Sequence, residues 1–169
     1  MASAIFGFVG VILGSFITSA LTIYKDRLAA RHEIKIRHEQ YERDRQAARD
    51  AFQRESTLAL QTAVSNLFKA VYEELDRMLA EFHESGSWHT RKWETPTAKG
   101  WSEALLQLQL SAARVHNEGL RELAQEIQRA AGDAIWAADL NTARQHCERL
   151  EPLHVRFNNT ASSIFASLF

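Results

Sequence analysis

The chain has 169 residues, a formal net charge of -1 and a single cysteine, Cys147. The near-neutral balance predicts no partner from bulk charge, and one cysteine excludes both an internal disulfide and a metal site built from cysteines alone. Two prolines and seven glycines, among many Ala, Leu, Glu, Arg and Gln residues, favour an all-α fold.

The first element is an apolar run over residues 1–24, in which no residue from 2 to 24 is Asp, Glu, Lys, Arg or His. As a helix it is long enough to cross a hydrocarbon core of about 30 Å. A secretory signal peptide would have a basic start and a shorter apolar region of about 7–15 residues. A buried core helix is the other alternative, and a single transmembrane helix is the interpretation that we adopt.

The flanking charges predict the orientation of this helix. Basic residues follow it at Lys25, Arg27, Arg31, Lys35 and Arg37, and no Lys or Arg precedes it. Because positive flanks stay on the cytoplasmic side, we expect the N-terminus outside and residues 25–169 in the cytosol.

One face of the apolar run carries small residues, namely Gly7, Gly10, Gly14 and Thr18. Small side chains allow close helix contacts in lipid, so this face predicts self-association. The alternative is that glycine is simply common in membrane helices.

A charged segment over residues 25–55 follows, and neither glycine nor proline occurs between Gly14 and Gly86. We therefore expect the membrane helix to continue without a break into the cytosol. The 71 residues in question would extend about 105 Å as a helix at 1.5 Å per residue.

A row of residues at alternating three- and four-residue steps joins the two segments. It begins with an apolar constriction at Leu21, Tyr24 and Leu28, which we interpret as a gate. It continues with Arg31, Lys35, His38, Glu42, Arg45 and Arg49, of which all but Glu42 are basic or potentially basic. These five residues would line a pore if several helices surrounded an axis. The alternative is a solvated helix of mixed charge.

A second stripe on the charged segment is apolar. Ile34, Tyr41 and Ala48 recur every seven residues, with Phe52 nearby, and we place them opposite the basic row. This stripe is expected to pack against a neighbouring subunit.

Residues 56–169 predict a bundle of four amphipathic helices. The first carries Leu60 to Phe82 inward, and the second extends from Trp101 to Ile127 until Gly132-Asp133 ends it. The third places Trp136 and Cys147 inward, and Pro152 begins the last. Between the first two helices, tryptophans alternate with basic residues over residues 85–101, which favours either a loop anchored on the bundle or a single-stranded nucleic-acid contact.

Motifs for nucleotide-binding loops, zinc proteases and calcium loops are absent, and no cofactor or metal is expected. One catalytic candidate remains, the R-x4-H pattern formed by Arg149 and His154. In a metal-independent ribonuclease, such a histidine would transfer a proton and such an arginine would stabilise phosphorane charge. The same pattern also occurs at residues 27–32, beside the membrane run.

A membrane helix fused to a bundle with R-x4-H near its last helix resembles the HEPN-like membrane accessory proteins of type VI-B CRISPR systems. The resemblance implies a ring-shaped homo-oligomer, an octamer in that family, in a bacterial inner membrane. It implies enhancement of antiphage defence by membrane permeabilisation, with RNA or a CRISPR effector as further partners. The usual polar residue after the arginine is replaced here by Leu150, and Pro152 lies within the motif.

Three functions therefore follow from the sequence: a membrane pore, a membrane-tethered ribonuclease acting through Arg149 and His154, and a non-catalytic single-pass scaffold.

Overall fold

The computed structural model describes residues 2–88 and 95–167, with side chains described from residue 24 onward. Within these residues the fold is entirely helical, as predicted. The four helices are α1 (Ala2–Ser85), α2 (Pro96–Arg114), α3 (Glu118–Ile135) and α4 (Leu140–Ser167).

Helix α1 is continuous over 84 residues, which confirms the prediction made from the missing glycines and prolines. It ends at Gly86, whose φ is +69° and whose N–H donates to the Phe82 carbonyl at 2.8 Å. Glycine adopts this left-handed conformation without a Cβ clash, so it terminates the helix at little cost.

The chain divides into two compact units, Met1–Arg49 and Asp50–Phe169. Every residue of the hydrophobic core cluster, from Leu60 to Ala161, belongs to the second unit. The first buried side chains of that unit are those of Ser56 and Thr57.

The three- and four-residue spacing predicted the core of the second unit well. In α1, Leu60, Val64, Leu67 and Val71 are fully buried, and the other helices contribute Trp101, Leu108, Leu120, Ile127, Leu150 and Phe157. Burying a large apolar side chain stabilises the fold by about 1.5–3 kcal/mol, so this cluster holds the four helices together.

The predicted single helix from Trp101 to Ile127 is wrong, because the chain breaks between α2 and α3. The predicted break at Gly132-Asp133 is also misplaced, since α3 continues to Ile135. Helix α2 ends at Arg114, and the Asn117 side chain accepts a hydrogen bond from the Leu120 N–H at 2.9 Å, which caps α3. Gly132 lies within α3, where its neighbours Ala131 and Ala134 are buried in the core. Asparagine is a strong N-cap, so it starts a new helix where the apolar spacing alone predicted continuation.

Two further predictions in this region are wrong. Trp136 is 48% exposed, because α3 ends at Ile135 and the backbone turns away at Trp136. Pro152 does not begin a helix but lies inside α4. Proline removes one backbone hydrogen bond from a helix, and the buried side chains of Leu150 and Phe157 on either side favour continuation.

Candidate functional site

Residues 1–24 form the predicted membrane helix, but the structure describes no side chain before residue 24. The same applies to the predicted packing face, Gly7, Gly10, Gly14 and Thr18, and to Leu21 of the predicted gate. Within the described part of the chain, no helix combines the length and the apolar character needed to cross a membrane.

The rest of the predicted gate and the basic row lie on an exposed part of α1. Tyr24 and Leu28 expose 67% and 58% of their surface. All five basic side chains of the row are exposed as well, at Arg31, Lys35, His38, Arg45 and Arg49. Steps of three and four residues place them along one side of the helix.

The apolar stripe lies beside the basic row rather than opposite it, so our placement from the sequence is wrong. Ile34 is three residues from Arg31 and four from His38, and such residues are neighbours on a helix surface. Ile34 is 68% exposed and Tyr41 is 63% exposed. The two stripes therefore form one continuous surface with an apolar strip and a basic strip.

Ion pairs on this part of α1 are local. Arg37 pairs with Glu33 at 2.6 Å, and Lys35 lies 3.9 Å from Glu39. Exposed pairs at this spacing contribute about 0.3–0.5 kcal/mol each. They support the helix but leave its apolar strip uncovered.

The structure does not bring Arg149 and His154 together within one chain. Both lie in α4, and five residues on a helix correspond to a rotation of about 140°. Arg149 is exposed, whereas the half-buried His154 ring lies 4.5 Å from the Phe68 ring, with 30° between the two planes. The prediction that the last helix begins at Pro152, between these two residues, is wrong, since α4 spans both.

Two nucleophilic side chains of the bundle, Cys147 and Tyr72, have raised pKa values. Burial raises the pKa of the Cys147 thiol, and Glu148 adds to the effect. The pKa of Tyr72 is raised mainly by burial, with contributions from Cys147 and Glu151. Both groups therefore stay protonated at neutral pH, whereas the reactive nucleophile would be the deprotonated thiolate or phenolate.

A buried ionic group in α1 was missed by the sequence reasoning. The Glu74 side chain is fully buried and accepts from Arg77 at 2.7 Å, and Arg77 also pairs with Glu81 at 2.5 Å. The spacing of three and then four residues could have indicated it. The hydrogen bonds to Glu74 and Glu81 outweigh burial, so the pKa of Arg77 is raised.

The tryptophan-rich segment contacts the bundle where it is described. Trp88 donates from Nε1 to the Ala137 carbonyl at 3.0 Å and packs edge-on against Phe82, and Trp101 is only 4% exposed. These contacts agree with the loop anchored on the bundle. Arg91, Lys92 and Trp93 lie outside the described residues.

No group of three His, Cys, Asp or Glu side chains suited to a metal ion occurs among the described residues. A scan against protein-family models and searches of curated proteins and solved structures return no match to this chain. The likeness to HEPN-like membrane proteins therefore stays a prediction from architecture and from one short motif.

Proposed function

We propose that the protein is a homo-oligomeric membrane pore whose copies assemble through the charged segment of α1. The observation that carries this proposal is the exposure of Ile34 and Tyr41 on a helix outside the hydrophobic core cluster. Large apolar side chains recurring every seven residues are typical of helices that pack against other helices. A second copy of the same helix offers a matching surface.

The membrane location rests on residues 1–24, which are long and apolar enough to span a bilayer. All copies would insert with the same orientation, since the same basic flank follows the run in each. Parallel helices around a common axis would then extend from the membrane into the cytosol. Tyr24 and Leu28 would form an apolar constriction at the junction, where water is readily expelled.

A non-catalytic role fits the described side chains better than a ribonuclease within one chain. Arg149 and His154 point in different directions around α4, and His154 packs on Phe68. Pairing of these residues between copies stays a prediction, tested by RNA cleavage in EDTA with Arg149→Ala and His154→Ala variants. A role in antiphage defence likewise stays a prediction of the family resemblance.

Ion conductance across planar bilayers tests the pore directly, with two isoleucines as a matched pair. Ile34→Lys places a charge in the apolar stripe, whereas Ile36→Lys makes the same change two residues away on the other side of α1. We expect discrete conductance steps from the wild type and from Ile36→Lys, and their loss in Ile34→Lys. Equal conductance from both variants, or none from an assembled wild type, would contradict the proposal.

Anion over cation selectivity tests the predicted basic lining. A Lys35→Glu/Arg49→Glu variant should lose anion preference if these side chains face the passage. Unchanged selectivity would place them elsewhere.

A further inference from the structure

We infer that the charged segment of α1 contacts its neighbouring copy in parallel and in register, through acidic residues on one edge and basic residues on the other. This inference rests on the proposed assembly of copies and is independent of whether the assembly conducts ions. The occupant of the apolar stripe is a second copy of this chain, and the argument for it is charge complementarity.

The seven-residue recurrence of Ile34, Tyr41 and Ala48 defines a heptad frame in which these residues take position a, and Arg27 takes it one heptad earlier. Position d is then occupied by Ala30, Arg37, Asp44 and Ala51. Arg27, Arg37 and Asp44 are charged, so the seam is mixed and contributes less than a purely apolar one. Charges at the edges of the seam therefore contribute strongly to partner specificity and to the parallel or antiparallel orientation of the contact.

The two edges of this seam carry opposite character. Position g holds Asp26, Glu33 and Gln40, and position e holds Arg31, His38 and Arg45. All six side chains are exposed, so each can reach an adjacent helix.

In a parallel assembly, each g residue lies beside the e residue five positions later in its neighbour. Asp26 then faces Arg31, Glu33 faces His38, and Gln40 faces Arg45. Every pair joins an acceptor to a donor, and this holds over three successive heptads.

An antiparallel assembly would instead place e beside e and g beside g. Arg31, His38 and Arg45 would then face one another, as would Asp26 and Glu33. Like charges across a helix contact are destabilising, so the e and g residues favour the parallel direction. The parallel register in turn places Arg37 near Arg37 and Asp44 near Asp44 of the neighbour, which weakens the seam itself. Parallel contacts also suit copies that insert into a membrane with one orientation.

This assignment divides the basic row of α1 into two sets. Arg31, His38 and Arg45 lie at contacts between copies, whereas Lys35 and Arg49 occupy position b, beyond the contact. In this arrangement the basic row serves recognition of the neighbour, so an anion preference that depends on Lys35 and Arg49 would count against it.

Two charge-reversed forms of the full chain test the inference by co-purification with different tags in detergent at low ionic strength. The first form carries Arg31→Glu and Arg45→Glu, and the second carries Asp26→Lys and Glu33→Lys. In a parallel contact, each form alone brings like charges together, so its association should weaken about tenfold or more. Mixing the two forms should strengthen association over either form alone, because positions 26 and 31 again carry opposite charges in every contact.

The matched control carries Lys25→Glu and Arg43→Glu, which changes the net charge by the same amount as the first form. Both residues lie nine positions from Ile34, on the opposite side of the helix at about 180°. This control should associate like the wild type, and circular dichroism should show unchanged helix content in all forms.

Other outcomes would overturn the inference. An antiparallel contact predicts that the first form associates best with the wild type, since its acidic e positions would meet basic ones. Association of either form alone at wild-type strength would exclude the charge pairing. Restored association without conductance would leave the inference standing and count against the pore.

Discussion

At the scale of single residues, Arg149 and His154 show how a short motif can mislead. The sequence supplies their identities and spacing, but their roles depend on where the helix begins. Because α4 passes through Pro152, the two side chains leave one helix in different directions. His154 then packs on Phe68, 4.5 Å between ring centres, while Arg149 is exposed.

Their different surroundings predict different effects on stability. We expect His154→Ala to lower the free energy of unfolding by about 1 kcal/mol, the typical contribution of a ring contact. Arg149→Ala should change it by less than about 0.5 kcal/mol, as is usual for an exposed residue. Urea unfolding of both variants checks this. An equal decrease of the free energy of unfolding in the two variants would show that the contact between the His154 and Phe68 rings does not stabilise the fold.

At the scale of the helices, capping residues decide the boundaries that hydrophobic spacing left ambiguous. The spacing of apolar residues identified the buried face of every helix in the bundle, because that face repeats every three or four residues. It did not locate the ends, since Asn117 and Asp139 act through local hydrogen bonds that periodicity does not register. The exposed Trp136 was misassigned for the same reason.

Helix α4 begins at such a cap, and its carboxylate makes the cap sensitive to pH. Asp139 accepts from the Thr142 N–H at 2.9 Å and from its hydroxyl at 2.8 Å. The hydrogen bond from the Thr142 backbone is the main cause that lowers the pKa of Asp139, followed by the one from its hydroxyl. The ionised form is therefore favoured in the folded protein.

A lowered pKa in the folded state fixes the sign of the pH dependence. The stabilisation is complete above the ordinary aspartate pKa and is lost as the pH falls through the lowered value. Asp139→Asn keeps an acceptor but does not titrate, so its melting temperature should fall less on acidification from about pH 6 to about pH 2. The wild type and the variant are compared by thermal unfolding across that range, and parallel curves would contradict the assignment.

At the scale of the whole chain, two kinds of helix surface occur. The unit Asp50–Phe169 encloses the hydrophobic core cluster, whereas the described side chains of α1 before residue 50 are exposed. The sequence predicted the uninterrupted helix, because no glycine or proline breaks it. It could not show that Ile34 and Tyr41 stay uncovered in a single chain, which depends on what the rest of the chain packs against.

The central claim is that this exposed helix holds several copies together, and the mass of the purified full chain in detergent tests it most directly. Light scattering after size-exclusion chromatography should give a protein mass that is a multiple of 19.2 kDa for the wild type and for Ile36→Lys. Ile34→Lys should shift towards a single chain. A wild type that stays at 19.2 kDa at every concentration would contradict the account.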